Sequence, residues 1–594
     1  MSQFKLTACS IQQSISKLIK APLLGALFFI IQNVNAQSIA QDPHWVNLLY
    51  LTNGKQVIED KNFYLSSHSP TPESELHLLQ KELDSNLEVI KCRFPARAYW
   101  LSKKLNREAL SFSSCKGLNE FLTKAPLEEI SLVFASENVS NPSSMMGHTY
   151  LEFGGNGKRH ALTFYTELEG INLPKVMFES IVTGKEGFYA LSPASHLEKG
   201  YLKEEGRNIW KYHLDLTNEQ KKLLHLHLYE LRRIKLDYYF HTFNCATLMN
   251  YIIATVWPSI NDHKANWMTP LDLVRATHKS GLINDTKAIL ADKWLVKAIY
   301  ENLEIDPLSI NEIKQKGIAS IEELPQLELA QAYNRYQYFE ESKNYKEFSL
   351  LSDKIDRTLE QSFPNGTLDF SQYKNPANAP SNSQVYLSQQ YFRNDKEEQR
   401  SILGLLPASH LLSDDNRMYI NESELRVANV ELSYSKSKLR LNKLLLIGAK
   451  IFQISDPLTG GISGGFQIGY TDYINRHLKF ENDFKIGADI GKTFRLHRDI
   501  DFYLIQQNSL YTSTDFYIAG LSTGIILRSY ESLKFHLRYS LSFYVPNQYE
   551  YLEEAVLDTS YRINKNLGFI FSLNASENST RSIQSIKLDL NYYL

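Results

Sequence analysis

Two separated segments carry residues with the chemistry of a thiol nucleophile and its base. Cys245 lies in Phe240-His241-Thr242-Phe243-Asn244-Cys245-Ala246-Thr247-Leu248-Met249. Asn244 is a favoured N-cap, and the apolar run after it predicts a buried helix with Cys245 as first residue. Free N–H groups and the helix dipole at that position favour thiolate over thiol. About a hundred residues earlier stands Gly147-His148-Thr149-Tyr150-Leu151-Glu152-Phe153-Gly154-Gly155, whose pattern predicts a strand. A strand histidine facing a cysteine at a helix start is a candidate nucleophile–base pair.

The segment from His148 to His160 resembles the histidine hairpin of permuted NlpC-type thiol enzymes, including the lecithin:retinol acyltransferase group. That resemblance implies a second histidine downstream of the first and an Asn-Cys pair at a later helix start. His160 and Asn244-Cys245 match both. A three-residue Gly154-Gly155-Asn156 loop would put His148 and His160 on one face as diagonal neighbours. Cys245 would then attack an acyl carbon, His148 would carry the proton, and His160 would orient His148. Three further stretches, Ser143 to Leu151, Arg207 to Tyr212 and Tyr239 to Cys245, are similar to the Lnb-type N-terminal periplasmic domain family. Asp42-Pro43-His44-Trp45 and Cys92 to Arg97 resemble the accessory segment that precedes that domain in some members. The family implies a periplasmic thiol domain whose namesake acylates the N-terminus of lipoproteins.

Neighbouring residues have supporting or bland roles. Gly147, Ser143 and Ser144 precede the histidine, and the serines supply either oxyanion donors or loop caps. His241, four residues before Cys245, can share the helix approach with it. His148, His160, His241 and Cys245 are all zinc-ligand types, but no close ligand pair such as CxxC supports a metal site. No metal and no cofactor is expected. Glu230 and Asp237 read as solvated or structural, and His225 and His227 as surface positions of one helix.

The elements that position this site lie in a chain of 594 residues, long enough for several domains. The net charge of −2 gives no basic footprint for nucleic acid. Residues 1–36 read as an export signal: Lys17 and Lys20, an apolar stretch from Ala21 to Ile31, and Val34-Asn35-Ala36 before Gln37. Export implies an oxidising compartment, where Cys92 and Cys115 can pair and leave Cys245 the odd thiol. Residues 37–125 read as a helical accessory domain, with Thr71-Pro72 opening a helix whose face is Leu76, Leu79, Leu83 and Leu87. Residues 126–300 mix strands and helices as a permuted papain-like α+β domain. Thr217 and Gln220 form a capping box there. Residues 301–383 are charged helical segments ending in a linker rich in Pro, Asn and Ser.

From 384 to 594 the pattern changes to two-residue alternation. Leu533, Phe535, Leu537, Tyr539 and Leu541 oppose Lys534, His536, Arg538, Ser540 and Ser542. Ile586, Leu588, Leu590, Tyr592 and Leu594 close the chain against Lys587, Asp589, Asn591 and Tyr593. About ten to twelve such segments, in an exported chain, fit an antiparallel barrel with its apolar face in lipid. The fold class is therefore multidomain, α+β followed by all-β, at the outer membrane with the N-terminal domains in the periplasm. Three functions fit this organisation. They are a thiol acyltransferase or acyl hydrolase on lipid or lipoprotein substrates, a cell-wall peptidase or amidase, and a non-catalytic barrel with a plug or recruiting domain.

Overall fold

A computed structural model describes residues 38–594 except 67–68, 138–144, 168–178, 180–182, 266, 303–322, 341–343, 365–367, 394–396, 513–515, 531 and 546–549. The export signal and Ser143 and Ser144 lie outside the described residues.

The chain first builds a helical layer. Helix α1, Pro72–Ser85, has the capping box Thr71/Ser74 and buries Leu76, Leu79 and Leu83. Leu87 does not continue that face. Asn86 breaks the helix, and Leu87 opens a new one, Leu87–Arg93, at 39% exposure. Cys92 and Cys115 form a disulfide with Cα atoms 5.2 Å apart. Helix α2, Pro95–Lys104, carries the fully buried Arg97. Its guanidinium sits 3.8 Å from Glu75 and 3.4 Å from Glu230, over the rings of Phe63 and Phe94.

Glu230 comes from helix α3, Asn218–Leu231, whose start is the Thr217/Gln220 capping box. Its carboxylate accepts from the backbone N–H groups of Ala96 and Arg97. The polar inside of this helix also contains His227, which is fully buried against the Tyr50 hydroxyl at 3.0 Å. His227 is thus a core group and not a surface one. The Tyr50 hydroxyl satisfies one ring nitrogen, and the other lies 3.7 Å from the Glu230 carboxylate.

Seven antiparallel strands form the central sheet: β1 Glu129–Ala135, β2 His148–Gly155, β3 Lys158–Tyr165, β4 Lys185–Pro193, β5 Ile209–Leu214, β6 Leu236–Tyr238 and β7 Ile283–Ile289. Their spatial order is β6-β4-β3-β2-β1-β5-β7. Both faces are covered, which explains the nearly continuous burial of β1, β2 and β3. Leu132, Leu151, Phe153, Leu162 and Phe164 pack with α3 and with helix α4, Cys245–Ala254. Val133, Tyr150, Ala161 and Ile209 pack on the other face against Leu197, Tyr201 and Leu202. All ten residues of α4 are buried, as its unbroken apolar sequence requires.

The C-terminal third is a closed barrel of 12 antiparallel strands with one short extra strand. The first strand, Gln384–Arg393, pairs with the second, Glu397–Leu406, and with the last, Ser582–Tyr593. The second then pairs with the third, Glu422–Ser435, so no edge is left open. The extra strand Ala408–His410 extends the second alongside the third. The apolar set faces outward: Leu537 is 49% exposed, whereas Lys534 and His536 are at most 8%. The last strand repeats this, with Ile586 and Leu588 out and Asp589 and Asn591 in. An outward apolar face and a polar, charged interior are the membrane arrangement, not that of a soluble barrel.

Candidate active site

Asn244 caps α4 through a reciprocal bond pair: its Oδ1 accepts from Thr247 N–H at 3.0 Å, and Thr247 Oγ1 accepts from Asn244 N–H at 2.6 Å. Cys245 is therefore held as the first helical residue. It is 4% exposed and is the free cysteine among the described residues. Burial raises its pKa above the ordinary thiol value. Opposing this are Thr149, through its backbone N–H and hydroxyl, the N–H of Ala246, and the charge of Arg207. The helix-start argument favours thiolate, but desolvation is the larger effect here, so the resting sulfur is a thiol.

Helix α4 packs on β2 and β3, and the sulfur lies at Thr149, one residue beyond His148. Alternation along β2 sends the two side chains to opposite sides of the sheet. The His148 ring lies against Tyr150 (6.4 Å between centroids) and Tyr201 (6.2 Å). Its desolvation there, with Arg207 nearby, lowers its pKa to about 3. Both members of the pair are thus uncharged at neutral pH. No hydrogen bond joins them among the described contacts; Arg207 acts on both.

Gly147 sets the approach to β2. Its φ of +79° suits glycine, and a Cβ there would sit 2.6 Å from the Phe134 ring. His148 pairs with Ala135, and the Ala135 carbonyl accepts from Arg207 Nη2 at 2.9 Å. Arg207 also donates to the Ser136 carbonyl and to Glu205, and its guanidinium lies over the Tyr201 ring.

His160 does not join this group. The β2–β3 register pairs Gly155 with Lys158 and Phe153 with His160, so Asn156-Gly157 is a two-residue turn and not the expected three-residue loop. Phe153 is five residues from His148, an odd number, so His160 faces the opposite side of the sheet. A one-residue change in loop length moves the whole strand from one face to the other. The His160 ring lies on Phe153. His241 is in the turn between Tyr239 and Phe243 and packs beside Trp267. No metal-binding cluster occurs among the described residues.

Sequence reasoning missed Arg207, Tyr201, Thr149 and Glu137. Burial outweighs Arg207 at Glu137 and raises its pKa to about 7. Thr149 had a signal as the neighbour of the candidate base, and Arg207 as the first residue of a family-like stretch; Tyr201 and Glu137 reach the site by tertiary packing.

Residues 118–280 match the Lnb N-terminal periplasmic domain. They are an Lnb-type periplasmic domain. Residues 374–593 match a domain of unknown function (DUF7840), and residues 37–104 match another (DUF7843). No curated protein matches the chain significantly. Among solved structures, the chain is similar to an outer membrane channel from Pseudomonas putida F1 (11% identity, 38% of this chain and 99% of that one, TM-score 0.26). It is also similar to NanC porin (7%, 35% and 100%, 0.25) and KdgM porin (10%, 35% and 99%, 0.23). The periplasmic domain precedes a barrel whose apolar face is outward, so the protein sits in the outer membrane with its Lnb-type domain in the periplasm.

The Lnb-type domain is seated directly on that barrel. Met145, Met146, Phe240 and Trp267 pack with Leu425, Val427, Ala449 and Phe466. Glu424 and Arg426 line the lumen cavity of about 480 Å³. The intervening Leu425 and Val427 therefore belong to the outer wall. The segments that lead into His148 and Cys245 thus rest against the barrel wall, where Ala449 and Phe466 of the same cluster also border the lumen cavity.

Proposed function

We propose that the protein is a thiol-dependent acyltransferase or acyl hydrolase acting on lipid or lipoprotein substrates at the periplasmic face of the outer membrane. The observation that supports it best is the placement of Cys245. It is a free thiol at a capped helix start, beside Thr149, the strand residue that follows the candidate base, and the segments leading to it touch the barrel wall. In the first step Cys245 Sγ attacks the acyl carbonyl and the ester C–O bond breaks. The thiol proton passes through His148 to the leaving alcohol. An amine or water then attacks the thioester, restores the thiol and leaves as amide or carboxylic acid. Because no hydrogen bond joins the imidazole and the thiol among the described contacts, this step needs substrate binding to bring them together before the proton moves. Thr149 neighbours the sulfur, and its N–H and its otherwise unbonded hydroxyl are the donors nearest to the developing charge.

The test is trapping by a lipid-like electrophile. It labels wild type at Cys245 and fails to label Cys245→Ser. Labelling that survives the substitution ends the proposal. A second reading, a non-catalytic recruiting domain, draws on the depth of the thiol and its lack of a bond to His148. Equal rescue of a deletion by wild type, Cys245→Ala and His148→Ala would establish it.

A further inference from the structure

The side-chain amide of Asn244, which caps the Cys245 helix, donates to two carbonyls: Phe240 at 3.0 Å and Met268 at 2.9 Å. Both acceptors are linked to segments that touch the barrel, Phe240 directly and Met268, itself in the periplasmic core, through its neighbour Thr269. Phe240 packs on the outer wall at Leu425 and Val427. Met268 precedes Thr269, whose hydroxyl lies 3.5 Å from the Asn382 amide nitrogen. Asn382 is pinned from the barrel side on two atoms: its carbonyl accepts from Ser409 N–H at 2.5 Å, and its Oδ1 accepts from the Tyr419 hydroxyl at 3.1 Å. Tyr419 comes from the 411–421 segment, between the extra strand Ala408–His410 and the third barrel strand. Leu412 of that segment packs among lumen residues, while Tyr419 is buried in the core of the periplasmic half, stacked on His410 at 4.2 Å. The lead-in to His148 follows the same rule, because Met145 and Met146 are in the Phe240 cluster.

Both approaches to the thiol site are thus in contact with the barrel side. Every polar group in the chain Tyr419–Asn382–Thr269 and in the Asn244 cap is nearly or fully buried, so water does not substitute for a lost partner. We propose that the barrel positions Cys245: Asn382 and Tyr419 are positioning residues that act through Met268 and the Asn244 cap. The thiol site is complete only in a chain whose barrel has folded. A periplasmic domain waiting on an unassembled barrel would hold an unorganised cysteine, and acyl chemistry would begin on insertion. The inference rests on the thiol reading of Cys245 but not on the acyl reaction.

The experiment is alkylation of the full chain in detergent micelles with iodoacetamide between pH 6 and 10, following the Cys245 peptide by mass spectrometry. Asn382→Ala frees the cap, relaxes the burial that holds the thiol protonated, moves the profile to lower pH and raises the rate at pH 7.5 at least tenfold. Tyr419→Phe, which removes one hydroxyl and keeps the ring, shifts the profile in the same direction by less. Tyr503→Phe removes a buried hydroxyl bonded at 2.9 Å to His536 inside the barrel, and leaves the profile of wild type. Superposition of the Asn382→Ala and Tyr419→Phe profiles on wild type overturns the proposal, as does an equal shift in Tyr503→Phe. A shifted profile in a protein that fails lipid labelling would retain the positioning role and discard only the acyl reaction.

Discussion

Replacing Gly147 by alanine tests the described approach to His148 with a single methyl group. At φ +79° an L-residue costs roughly 1–2 kcal/mol. The added Cβ also sits 2.6 Å from Phe134, itself buried in the core, and 2.9 Å from the Ala135 carbonyl. Overpacking of this kind costs typically about 1–3 kcal/mol. Neither contact is with a flexible tip, and Ala135 O is the atom that Arg207 holds. The sum is about 2–5 kcal/mol of local destabilisation. Since Cys245 is buried, a thiol reagent meets it through opened forms, whose population follows that free energy. At about 1.4 kcal/mol per tenfold, Gly147→Ala raises the native-state alkylation rate of Cys245 by at least about 30-fold. A rate within threefold of wild type would refute the claim that the Gly147 backbone and the Phe134–Ala135 edge fix this end of the sheet.

Other expectations follow from the same geometry. Arg97→Ala leaves Glu75 and Glu230 buried without their cation and costs about 3–5 kcal/mol; an unchanged thermal midpoint of the periplasmic half would contradict this. Reducing Cys92–Cys115, which closes a separation of 23 residues, removes about 3 kcal/mol and exposes 37–125 to limited proteolysis; equal protease resistance with and without reductant would contradict it. Burial lowers the pKa of His225 to about 4 and that of His227 as well, so the unfolded chain takes up these protons first. Stability from these residues is whole above about pH 6.5 and falls as pH drops toward 4, and His227→Gln flattens the thermal midpoint between pH 7 and 5. A variant whose midpoint falls as steeply as wild type would remove His227 from that account. Leu537→Arg puts a charge on the lipid face and costs about 2–4 kcal/mol near the midplane, lowering the folded fraction in lipid vesicles; undiminished folding would put this face elsewhere.

Local signals in the sequence translated directly into structure. Asn244 before an apolar run is the N-cap of α4, and Thr217 with Gln220 is the box that opens α3. The alternation from Leu533 to Leu541 identified the barrel wall, because a period of two survives regardless of partners. What failed depended on distance or register. His160 depended on one residue of loop length, which no propensity at Gly154–Gly157 decides. The burial of His227 depended on Tyr50, which is 177 positions away in sequence. Arg207 opens one of the family-like stretches, but its contact with the site, like that of Glu137, arises only because β1 and β5 pair beside His148. The seating of Phe240 and Met145 on the barrel joins two segments whose patterns each look complete alone.

In the proposed reaction Cys245 carries the acyl group and His148 moves the proton. Incubating the full chain with phospholipid vesicles, quenching in acid and measuring the Cys245 peptide mass tests this directly. The expected result is an acyl adduct on Cys245 that hydroxylamine removes and that His148→Ala does not form. An unmodified Cys245 peptide in wild type, or an adduct that forms equally well without His148, would contradict it.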